Sequence, residues 1–76
     1  MNRQYKGWLL ETWECVNRIP KREFTLDDIY AFIPELQGRH PHNQHIDAKL
    51  RQKLQVLRDK GELDFLDYNG TYQKKN

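Results

Sequence analysis

Between residues 40 and 61 the chain reads HPHNQHIDAKLRQKLQVLRDKG, and most of the side chains able to do chemistry fall there. His40, His42, His45 and Asp47 are the residue types a metal ion would want. His40 and His42, however, flank Pro41 in what reads as an extended turn, and no second ligand pair with structural spacing, such as Cys-x-x-Cys, occurs elsewhere. The stretch is therefore not read as a metal centre, and no cofactor is expected. Phosphate or base contact suits a turn histidine such as His42 or His45, and simple exposure suits His40. Nuclease chemistry would need carboxylates gathered with a lysine around a metal, and here the acids are scattered through the first half of the chain and its last segment. Cys15 has no histidine partner on its own helix, and the chain contains no serine. Catalysis is not expected of this chain; recognition is.

The side chains that remain suit duplex DNA. Gln44, Gln52 and Gln55 carry amides able to pair with adenine at its major-groove edge, Arg51 can fork onto guanine, and Ala48 is small enough to admit a base methyl. Arg39, Lys49 and Lys53 suit phosphates, as do the free N–H groups at the start of a helix capped by Asn43. Charge supports this placement. Residues 39–61 hold six cations against two acids, a local +4, while the flanking segments each come to −1, so the whole-chain +2 conceals one basic patch.

These residues need elements to hold them. Seventy-six residues support one small core, so a single domain is expected over 1–76. Charged residues are 32% and mean hydropathy is −1.04, values compatible with disorder, but 12% aromatics and clear periodicity predict a fold. One cysteine excludes an internal disulfide, and no apolar run approaches the roughly 20 residues that span a bilayer. A cytoplasmic protein without membrane contact is the expectation.

A first helix is predicted over 5–18, ended by Pro20, with Leu9, Trp13 and Val16 inward, Trp8 and Trp13 in or at the rim of the core, and Cys15 a buried small hydrophobe. FTLDDI starts a second: Thr25 as N-cap, Asp28 completing a capping box, and Phe24 closing on Ile29 as a staple. Pro34 predicts a kink or break near Ile33, and Gly38 an end. The third helix is predicted from an Asn43 cap to Lys60, with Gly61 as its stop. Ile46, Leu50, Leu54 and Leu57 then lie within about 80° of arc, and Gln44, Ala48, Arg51, Gln52 and Gln55 oppose them with His45 at the edge. Asn69-Gly70 predicts a type I′ hairpin over 62–74 that sets Asp67 opposite Tyr72 and puts Leu63, Phe65 and Tyr72 on one face. The sum is a mainly α, α+β fold: a winged helix-turn-helix of three helices plus wing. Residues 36–43 are its turn.

The strings FTLDDIYAF and HPHNQHIDAKLRQKLQVLRDKGELDFL, followed by a short wing, resemble the C-terminal domain of the DpnI-like, or Dam-replacing, restriction endonucleases. The resemblance spans residues 24–66, and RQKLQVLRDKG is its most specific part. It implies a winged-helix module that binds duplex DNA at GATC carrying N6-methyladenine, joined in the parent protein to a metal-dependent nuclease domain. It also implies a DNA surface formed by HPHNQH, Lys49, Arg51 and Gln52. Two departures stand out: DYNG is acidic where the family wing resembles Gly-Arg-Gly, and FIPEL replaces a continuous helical stretch. Two other readings remain open, a transcriptional regulator of an unmodified operator and a winged helix used only for protein docking.

Overall fold

The computed structural model describes residues 5–67 and 70–75. Helix α1 (Gly7–Arg18) leads into strand β1 (Glu23–Thr25), then α2 (Leu26–Tyr30), α3 (Ile33–Arg39), α4 (Ile46–Asp59), β2 (Leu63–Phe65) and β3 (Thr71–Lys74). The strands form an antiparallel sheet in the order β1-β3-β2. The fold is a winged helix-turn-helix.

The start of α2 follows the expected chemistry. Thr25 Oγ1 accepts from the Asp28 N–H at 3.3 Å while Asp28 Oδ2 accepts from the Thr25 N–H at 2.9 Å, so two orphan donors are satisfied reciprocally. Phe24 and Ile29 are both core residues, 1% and 0% exposed. The second helix is broken in two, with Ala31 and Phe32 as the joint. Pro34 sits in the first turn of α3, where its missing donor costs nothing. Gly38 does not end that helix, which runs on to Arg39 with His40 as its C-cap. The first helix begins two residues later than expected, at Gly7.

Ile46, Leu50, Leu54 and Leu57 are all buried and lock α4 against α1, α2, α3 and β2. At about 1.5–3 kcal/mol for each aliphatic side chain, this seam is the largest single contribution to the core. Gly61, at φ +85°, closes the helix: its N–H reaches the Arg58 carbonyl and the Glu62 N–H reaches the Leu57 carbonyl, each at 2.9 Å, the pattern of a Schellman motif. Cys15 is buried as expected, and burial pushes its thiol up to about 11, so it stays neutral. Trp8 and Trp13 are half-buried and pack against the core from its rim.

The wing departs from the expected register. Phe65 pairs with Tyr72 and Leu63 with Lys74, so Asp67 does not face Tyr72 and the connection is longer than two residues. Asp67 Oδ1 instead accepts from the Thr71 N–H at 3.3 Å, closing the loop from within. A slip of two preserves sidedness, which is why Leu63 and Tyr72 are nevertheless buried and Phe65 half-buried on the same face. Asn69 lies outside the described residues. Gly70 is at φ +86°, its carbonyl accepts from the Leu26 N–H at 3.0 Å, and a Cβ there would meet the Leu26 side chain at 2.9 Å. The wing is thus tied to the start of α2. Strand β1, which sequence patterning does not reveal, completes this tie through the stacked Phe24 and Tyr72 rings, 5.4 Å apart.

Candidate nucleic-acid interface

Because the aliphatic seam turns inward, the opposite side of α4 is left uncovered. Asp47, Ala48, Arg51, Gln52 and Gln55 are exposed there, and Lys49 and Lys53 lie half-buried on a flank. Ala48, Gln52 and Gln55 fall within about 60° of arc on an ideal helix, with Arg51 beside them. The sequence-predicted residues of the helix body are therefore gathered on one surface.

The approach to the helix differs from the prediction. Asn43 does not cap it; α4 begins at Ile46 with His45 as N-cap and no side-chain cap bond. Asn43 Oδ1 accepts from the His45 N–H at 2.9 Å, an Asx turn that spends the amide locally and delays the helix. Gln44 consequently lies in the loop before the helix rather than on its face, exposed alongside His42 and His45. The helix still opens with free N–H groups and a positive dipole end.

The turn itself is built by residues that sequence reasoning passes over. Gln37 Nε2 donates to the carbonyls of His40 at 3.0 Å and Asn43 at 2.9 Å, bridging the two ends of the turn. His40 is not simply exposed: its Nε2 lies 2.7 Å from Glu11 Oε2, and its ring stacks on Trp8 at a tilt, centroids 4.4 Å apart. Helix α1 thus buttresses the turn. Arg39 is exposed and bonded to Glu35 at 2.9 Å and Glu11 at 3.3 Å. Residues 39–45 together line an open depression of about 700 Å³ next to the N-terminal end of α4.

Arg51 is held from two helices. Its Nη1 donates to the Tyr30 hydroxyl at 2.9 Å and lies 3.5 Å from Asp47 Oδ2. The Tyr30 hydrogen bond, more than Asp47, raises the guanidinium above its ordinary range, so the charge is permanent. Neither Tyr30 nor Gln37 has a spacing signal that sequence alone could expose, since each acts across the turn. Among the described residues no group of three or more His, Cys, Asp or Glu side chains is placed to hold a metal ion. Among the described residues no helix is long and apolar enough to cross a membrane.

What the arrangement offers is a rigid helix carrying amides, one forked cation and one small apolar residue on an uncovered face, flanked by lysines. Among known families, the model of the DpnI C-terminal family, the Dam-replacing HTH domain, matches residues 4–74. The chain belongs to the Dam-replacing helix-turn-helix family, a family of DNA-binding modules, and is itself a DpnI-like C-terminal winged-helix domain.

Proposed function

We propose that the domain reads N6-methyladenine in duplex GATC, laying α4 in the major groove, and that it serves as the sensor module of a methyl-directed restriction endonuclease. The observation that carries the reading is the exposed face of α4, where Ala48, Gln52 and Gln55 follow one another at single-turn spacing and are all uncovered among the described residues. N6-methyladenine keeps one N–H donor and gains an apolar bump in the groove. Its reader needs an acceptor beside a close-fitting apolar patch, and a glutamine amide next to Ala48 supplies both. Arg51 would fork onto guanine, His42, Asn43, Gln44 and His45 would meet base edges or phosphates at the helix start, and Arg39, Lys49 and Lys53 would fix the backbone.

Discrimination per methyl is bounded at about 1–3 kcal/mol, roughly 10- to 200-fold, and two methyls on the palindrome compound it. The test is titration of the domain against unmethylated, hemimethylated and fully methylated GATC duplexes of otherwise identical sequence at two salt concentrations. Affinity should rise with each methyl. Equal affinity for all three would remove the methyl reading and favour a reader of unmodified DNA; binding indifferent to salt would remove DNA recognition altogether.

A further inference from the structure

The grip on Arg51 is asymmetric. Tyr30 and Asp47 both engage Nη1, and no hydrogen bond is made by Nη2 or Nε among the described residues. The Nε and Nη2 edge of this exposed guanidinium is therefore left available for an outside partner. Tyr30 closes α2 and is half-buried, so its hydroxyl is a fixed acceptor, whereas the exposed Asp47 rides on α4 with Arg51 itself. An unrestrained arginine would have to give up side-chain freedom to make a two-pronged contact, and an arginine already held by one edge gives up less.

We propose that Tyr30 is a positioning residue for base reading: by holding Arg51 Nη1 it presents the Nε and Nη2 edge to the O6 and N7 acceptors of guanine. The first helix of the pair then contributes to specificity without touching a base. Asp47 assists from one turn back and keeps the guanidinium from swinging toward the phosphates. The inference rests on α4 lying in the major groove, not on recognition of a methyl.

The experiment compares wild type, Tyr30→Phe and Arg51→Lys on fully methylated GATC duplexes carrying guanine or 7-deazaguanine, which lacks the N7 acceptor, across a salt series. A good forked contact is worth about 5- to 150-fold, and 7-deazaguanine removes one of its two acceptors, so the wild type should lose affinity toward the lower end of that range. Tyr30→Phe deletes one oxygen and should keep its melting temperature and its salt slope while its penalty for 7-deazaguanine falls below about threefold. Arg51→Lys keeps the charge without the fork and should show the same loss of sensitivity, independently of any effect at position 30. Full sensitivity retained in Tyr30→Phe would overturn the positioning role, as would a uniform loss on every duplex. A wild type indifferent to 7-deazaguanine would overturn the proposal outright. Adding the same pair of duplexes without methyl groups separates the two readings: equal wild-type affinity for methylated and unmethylated duplex, with guanine sensitivity intact, would remove the methyl reading and leave this one standing.

Discussion

At the residue scale, the proposed recognition of a methylated base depends most on Ala48. It is exposed, so enlarging it should leave the fold within about 0.5 kcal/mol of wild type, yet a carboxylate there would meet both the phosphates and the base edges. Ala48→Glu should therefore melt normally and lose specific binding, as read by thermal denaturation and duplex titration together. Melting of the domain would mean that α4 is rotated from the orientation described. Lys49→Ala should act differently, weakening every sequence alike and lowering the salt slope by about 0.9. Ala48, Arg51, Gln52 and Gln55 were legible in the sequence because four aliphatic residues fix the phase of a 14-residue helix, and the outward face follows from the inward one. Tyr30 and Gln37 were not legible, since each acts on a residue of another element or across a turn, where no periodicity reaches.

At the element scale, the turn depends on how its helices begin and end. The capping box of α2 gives a measurable handle: Thr25→Ala should cost about 1 kcal/mol, or some 4–8 °C in Tm for a domain of this size. Asp28→Asn should instead flatten the acid limb of the stability profile. The Thr25 backbone N–H, and then Lys21, hold the Asp28 carboxyl below its ordinary value, so the folded-state pKa lies under the unfolded one. That contribution is present above about pH 4 and fades as pH falls through the folded pKa. Asp28→Asn, which removes the titrating carboxylate, should lose less stability over that acid window than the wild type, as followed by denaturant titration at several pH values. Equal acid sensitivity would assign the effect elsewhere. The capping box was plain in FTLDDI, but Asn43 misled. Residues that cap helices also make Asx turns, and local sequence does not decide between the two; the Gln37 bonds across the turn are what favour the turn here.

At the scale of the whole molecule, three sets of contacts hold the helix pair, its turn and the wing together. The Glu11, His40 and Trp8 group buttresses the turn from α1, the aliphatic seam fixes the phase of α4, and the Gly70 to Leu26 contact joins the wing to the helix pair. Fold class was legible because helix periods and a hairpin signal occur in winged-helix order. The sheet was less so: β1 is three residues long, too short to alternate visibly, and the wing register is set by Asp67 and by contact with Leu26, neither of which a turn motif encodes. In the proposed complex, duplex DNA sits on the outward side of α4 and on the turn before it. The most direct test is amide and side-chain chemical-shift mapping as fully methylated GATC duplex is added. The largest changes should fall on residues 42–52 and on the Gln52 and Gln55 side-chain amides, with the outer face of α1 unmoved; changes centred on α1 or β1, with 42–55 undisturbed, would place the duplex elsewhere and rule out α4 as the contact surface.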